Sequence, residues 1–130
     1  MLFHSTRVGD KDRTFEDILM QGLASDGGLF MPDEWPQVNL NLLRSKSSFI
    51  EVAKEIVPLF TSSSFDKEEV INILDNTWHD FSDDDIAPLK HLDDNKAVLE
   101  LFHGPTAAFK DFGLQLAAAF FNEVLSKNNK

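Results

Sequence analysis

Cysteine is absent from the sequence, which excludes disulfides, thiolate metal sites and a cysteine nucleophile and fits a reducing compartment. Tyrosine is also absent, against 12 Phe and 2 Trp, so the core is filled largely by rings without a hydrogen-bonding handle. Basic residues are few: 12 Lys and Arg against 22 Asp and Glu give a formal charge of −10. That balance speaks against a nucleic-acid binder, whose phosphate contacts need surplus Lys and Arg, and against docking on an anionic membrane. No uninterrupted apolar run approaches the roughly 20 residues of a membrane-spanning helix. The polar stretch Met1 to Asp12 has no apolar signal segment behind it, so a cytoplasmic location is expected. What is present is ordinary for a globular chain: 130 residues, 42% hydrophobic and 26% charged, the size of one domain or of one domain and the start of another.

Apolar spacing predicts three helices in the first part of the chain. Phe15, Ile18, Leu19 and Leu23 predict a helix over 14–23, with Asp12 or Thr14 as cap and Gly22 near its end. Asp26-Gly27-Gly28 then predicts a tight reversal, and Leu29-Phe30-Met31 a short strand stopped by Pro32. Trp35 is expected to pack against the loop that follows. Ser48 and Glu51 form a capping-box pattern ahead of the stripe Phe49, Val52, Ala53, Ile56, Val57, Phe60, predicting a helix over 48–60 whose last turn kinks or ends at Pro58. Ser62-Ser63-Ser64 reads as a linker. Asp66 with Glu69 opens a helix over 66–78 bearing Val70, Ile71, Leu74 and Trp78.

Beyond residue 80 the pattern changes. Asp83-Asp84-Asp85 lacks the spaced ligands and glycine of a calcium loop and reads as a solvated loop. Pro88 to Leu92 reads as extended, Asp93-Asp94-Asn95 as a turn, and Lys96 to Phe102 as a strand. A helix over 111–127 follows, with one stripe of Leu114, Ala117, Ala118, Phe121 and Leu125 and a neighbouring one of Leu116, Phe120 and Val124. Such a helix expects cover from more than one side. The fold class is therefore α/β: a small N-terminal domain over 1–95 with several helices and a few short strands, then the first strand and helix of a second α/β domain over 96–130.

The chemistry centres on His103-Gly104-Pro105-Thr106-Ala107-Ala108-Phe109-Lys110-Asp111-Phe112, a strand-to-helix passage that sets Lys110 at a helix N-terminus. Backbone N–H groups left unpaired there, with the helix dipole, favour an anion and disfavour a charged amine. At an ordinary pKa of about 10.4, roughly one lysine in 2,500 is neutral at pH 7. Burial between Phe109 and Phe112 would favour the neutral form, while an ionised Asp111 would oppose it unless spent on capping the helix. A desolvated lysine suits Schiff-base formation with an aldehyde cofactor; a snorkelling surface lysine is the plainer alternative.

The stretch Leu101-Phe102-His103-Gly104-Pro105-Thr106, then Ala108-Phe109-Lys110-Asp111-Phe112, resembles the signature of the threonine synthase family, pyridoxal-phosphate enzymes of the tryptophan-synthase-β fold type. Ser5-Thr6-Arg7, Gln21-Gly22-Leu23-Ala24 and Asp26-Gly27-Gly28-Leu29-Phe30 with Pro32 resemble the start of the same family, in the same order. Ala107 departs from the pattern, where a larger apolar residue such as Leu is expected. The resemblance implies a carbon–oxygen lyase acting on phosphate, converting O-phospho-L-homoserine and water into L-threonine and phosphate. It implies that Lys110 forms the Schiff base with pyridoxal 5'-phosphate and shuttles protons, and that Thr106 and Phe109 line the cofactor or substrate cleft. Because the cofactor of this fold type lies between two α/β domains, about 250 residues or more, the 130 residues alone are expected neither to retain it nor to turn over substrate.

Two other readings use the same residues. A threonine-synthase-like phospho-lyase would release a 2-oxo acid and share Lys110; a non-catalytic docking or dimerisation module would not need that lysine. His4, His79, His91 and His103 show no paired ligand spacing, so no metal site is expected, and His103 is expected to shape its loop by hydrogen bonding. The apolar last helix is expected to promote self-association or to fray after about residue 110.

Overall fold

The computed structural model describes residues 1–128. Its first unit is a short antiparallel pair, β1 (Phe3–Ser5) with β2 (Phe30–Pro32), in the register Phe3–Pro32, His4–Met31, Ser5–Phe30. Between them lies α1 (Phe15–Gln21), capped by Thr14, whose hydroxyl accepts from Asp17 N–H while the Asp17 carboxylate accepts from Thr14 N–H. The strand at 29–31 thus exists one residue later and includes Pro32, which a terminal strand position tolerates. Its partner β1 has no alternating run long enough to announce itself.

α2 (Leu40–Arg44), a short turn of helix capped by Asn39, leads to α3 (Phe49–Thr61) and α4 (Lys67–Asp75), which pack on each other. At α3 the Ser48 hydroxyl accepts from Glu51 N–H, but the Glu51 carboxylate accepts from Ser47 rather than Ser48, so the capping box forms in half. Pro58 does not end the helix. It removes one backbone donor, yet α3 continues to the buried Thr61, whose hydroxyl donates to Val57 O. The Asp66–Glu69 capping box at α4 forms in both directions.

α4 stops at Asp75, short of the expected 78. Asn76 Nδ2 and Thr77 Oγ1 donate to the carbonyls of Asn72 and Ile73, and Trp78 takes a positive φ of 65°. Trp78 is spent on the last helix instead: its N–H donates to Gln115 Oε1 and its indole Nε1–H to Phe112 O, at 3.1 and 3.0 Å. Ser63 and Ser64, read as linker, have structural work too. Their hydroxyls accept from Phe15 N–H and Glu16 N–H, satisfying the first donors of α1 from a distant segment.

β3 (Leu89–Asp93) and β4 (Lys96–Leu99) form a hairpin, irregular between His91 and Asp93 and turned at Asp94-Asn95. The expected strand over 96–102 therefore ends three residues early. After Glu100, whose N–H donates to Pro88 O, the chain leaves the ladder and runs as loop to Ala108-Phe109. The last helix, α5 (Lys110–Asn128), packs on α1 and α4.

The core joins Phe65, Val70, Leu74, Trp78 and Ile86 to Phe120 and Val124, with Phe15, Phe49 and Phe112 packed around it. Edge-on pairs carry much of the contact: Phe15–Phe120 and Phe49–Trp78 at 5.0 Å, and Phe81–Phe112 at 4.9 Å between ring centres. Of the two stripes of α5, Phe120 and Val124 with Leu116 reach this core, while Leu114 and Leu125 stay exposed. α5 runs to Asn128. Trp35 is a correction: it meets Phe60 edge-on at 6.3 Å, but its two-ring side chain overhangs solvent and remains 65% exposed.

Candidate functional site

The approach to Lys110 is built by one carboxylate. Asp111, 4% exposed, accepts from Thr106 N–H at 2.8 Å and from the Thr106 hydroxyl at 2.6 Å. Between them, Gly104-Pro105-Thr106-Ala107 closes as a turn, with Ala107 N–H donating to Gly104 O, and Ala107 sits at a φ of 54°, a left-handed value unusual for a residue with a side chain. Gly104 lies against the Asp111 carboxylate where a Cβ would overlap it, so the close approach demands glycine. The Thr106 hydroxyl above all holds Asp111 below the usual carboxylate range; burial opposes it, and the backbone N–H groups of Thr106 and Ala108 add to the lowering. Asp111 therefore spends its charge on the loop before the helix, a role that helix-cap rules do not reveal.

Upstream of this turn, His103 pairs through Nε2 with Glu100 Oε2 at 2.8 Å, and its carbonyl accepts from Ser82 N–H at 2.9 Å. That is the loop-shaping role expected of it. Among the described residues no group of three or more His, Asp or Glu is arranged to hold a metal ion.

Lys110 is the first residue of α5 and is exposed. Burial between Phe109 and Phe112 is not what the structure provides. Asp111 and Phe112 turn inward, Phe112 onto Phe49 and Phe81, and a helical step of about 100° per residue leaves Lys110 facing out. Phe109 is 65% exposed beside it. Among the described residues Lys110 makes no ion pair. Its sequence neighbour Asp111 is already committed to Thr106.

The other sequence motif assembles around two carboxylates. Asp26 accepts from the Ser5 hydroxyl at 2.7 Å, Gly9 N–H at 2.7 Å and Gly28 N–H at 2.9 Å, and Arg7 donates to its carbonyl. A Cβ on Gly28 would strike Ser5 Oγ. Asp10, buried, accepts from Arg13 Nη2 at 2.7 Å and from Ser25 N–H at 2.6 Å. Hydrogen bonds, from Arg13 above all at Asp10 and from Ser5 at Asp26, push both carboxyls down from the ordinary 3.8. Ser5, Arg7 and Asp26-Gly27-Gly28 are thus brought together, and no described hydrogen bond joins this network to Lys110.

The general class the structure defines is a mixed helix-and-strand module with an exposed lysine at the start of its last helix. Its family follows from comparison with known proteins. The family model for the threonine synthase N terminus matches residues 2–78, more than half of the chain, and the chain belongs to this family. It is 41% identical, over its whole length, to threonine synthase of Pseudomonas aeruginosa and covers 28% of that protein. Threonine synthase-like 2 of Xenopus laevis is 36% identical over the same share of the chain and likewise covered to 28%. The crystal structure of pyridoxal-phosphate-bound threonine synthase from Brucella melitensis superposes with a TM-score of 0.90 at 37% identity, covering 98% of this chain and 28% of that one. The chain thus spans little more than a quarter of the relatives it matches, and the α/β fold class agrees with them. No described helix is long and apolar enough to cross a membrane.

Pyridoxal phosphate fits the residues present at one point. A covalent anchor for an aldehyde must be within its reach, and the exposed Lys110 amine is.

Proposed function

We propose that a full-length protein carrying this chain is a threonine synthase, converting O-phospho-L-homoserine and water into L-threonine and phosphate. Lys110 would hold pyridoxal 5'-phosphate through its amine, with the exposed Phe109 ring and Thr106 lining the cleft beside it. When bound, the cofactor supplies the electron sink that stabilises carbanions. Lys110 Nζ would move protons to and from substrate carbon as a general base and acid. The observation that carries this reading is the likeness of the whole chain to threonine synthases, 41% identical in one case, with Lys110 accessible at the start of α5.

In this proposal residues 1–95 form the N-terminal domain and 96–130 open the cofactor domain, residues 129 and 130 lying outside those described. α5 serves both: Phe120 and Val124 close the first core while Leu114 and Leu125 await cover. The 130 residues alone would then lack activity and retained cofactor, and would self-associate through that open stripe. A cytoplasmic location belongs to the same reading. The test is product analysis with the full-length protein. Threonine and phosphate from O-phospho-L-homoserine support the synthase, and 2-oxobutyrate would favour a phospho-lyase. Turnover undiminished in Lys110→Ala would remove both.

A further inference from the structure

We infer that Asp111 is a positioning residue for Lys110: its buried carboxylate, through Thr106 and the turn beginning at Gly104, holds the start of α5 in the orientation the lysine works from. The inference rests on the proposed role of Lys110 and adds a residue that does not itself face the open side.

Three observations carry it. The carboxylate is nearly inaccessible, yet among the described residues it has no cation partner; its two short hydrogen bonds come from Thr106, one from the backbone and one from the hydroxyl. A buried ionised group without a counter-ion is costly to keep, so its two short, charge-assisted bonds fix the loop strongly. Second, the turn they hold is not one the chain adopts freely, because Ala107 sits at positive φ and Gly104 must lack a side chain to admit the carboxylate. Third, the clamp spans the first turn of the helix. Asp111 N–H donates to Ala108 O, so the residues on both sides of Lys110 are tied to the same turn. Lys110 is thereby set at a fixed angle although its own side chain is unconstrained.

The clamp also redefines Thr106. Its hydroxyl proton points at Asp111, which leaves only lone pairs for any outside group; from this position Thr106 accepts and does not donate.

The test is a double-mutant cycle in the full-length holoenzyme with Asp111→Asn and Thr106→Val. Each single change is expected to lower kcat about 10- to 100-fold with KM within about threefold, the signature of misplaced chemistry rather than lost binding. The double variant should be no worse than the poorer single within about threefold, because both break one device. Multiplicative losses would overturn the inference. A second readout needs no cofactor: in the apo protein, amide exchange at residue 106 should speed up at least about tenfold in either variant, and unchanged exchange would contradict the clamp. If Asp111→Asn does not fold, Thr106→Val and Thr106→Ser decide. Serine restores the hydroxyl and should recover most of both the kcat and the exchange protection; a serine variant no better than valine in exchange refutes the clamp. Lys110→Ala separates the two levels of argument. Retained turnover there defeats the proposed function and this inference with it, whereas lost turnover with an additive cycle defeats the clamp alone.

Discussion

Residues 49–78 and residues 89–109 are both rich in leucine, valine and phenylalanine, and they meet opposite fates. In the first, apolar positions recur at helical spacing, α3 and α4 turn them to one side, and α1 and α5 cover that side, so that Val70 and Leu74 have no accessible surface. In the second, β3 and β4 pair only with each other among the described residues, and Leu92 stays 67% exposed. A two-stranded ribbon has marginal stability by itself. Burial therefore follows from the number of partners an element has, not from its hydrophobicity. The Lys110 segment lies where the two regimes meet: Asp111 and Phe112 belong to the inside, Phe109 and Lys110 to the outside.

The largest expected effect lies on the outside and leaves the fold untouched. Lys110→Ala in the full-length enzyme should lower kcat by about a thousandfold or more, while the melting temperatures of the cofactor-free wild-type and variant proteins stay the same. A fall in the melting temperature of the cofactor-free variant would mean that Lys110 belongs to the packed region. Next comes the inside. Leu74→Ala should cost about 2–5 kcal/mol in denaturant unfolding, against less than about 0.5 kcal/mol for Leu92→Ala in the hairpin. Equal costs would erase the contrast between the two regions.

Acid should act on the carboxylates that fasten loops to the packed side. Asp10, Asp26 and Asp111 bind protons more weakly folded than unfolded, because hydrogen bonds favour their ionised forms. Their contribution is full above the ordinary carboxylate value of 3.8 and drains as pH falls below it toward their lower folded values. Melting temperature measured from about pH 6 to 2 should fall steeply below about pH 4, and Asp10→Asn should flatten that fall. Smaller still, Ser63→Ala should destabilise by about 1 kcal/mol by freeing a donor at the start of α1. Lys96→Gln breaks an exposed pair with Asp93 and should change stability by no more than about 0.5 kcal/mol.

Much of the packed side was legible because local rules govern it. The Asp66–Glu69 box, the Thr14 cap and the Phe120–Val124 stripe are spacing signals, and the structure realises them. Features that depend on distant partners were not. Ser63 and Ser64 read as linker because the donors they satisfy lie in another segment, and Trp78 read as helical because its bonds to Phe112 and Gln115 reach across the fold. At the site, Lys110 at a helix start could be read from the strand-to-helix passage. Its exposure could not, since it depends on which way Asp111 turns. The Asp111 clamp left one trace in the sequence, a glycine and a threonine shortly before an acidic residue.

The central claim is that the amine of Lys110 reacts with the aldehyde of pyridoxal phosphate. Borohydride reduction of the full-length holoprotein followed by proteolysis and mass mapping should place a single pyridoxyl group on the peptide containing Phe109-Lys110-Asp111. A label on any other lysine, or none after reduction of protein shown to contain the cofactor, would contradict it.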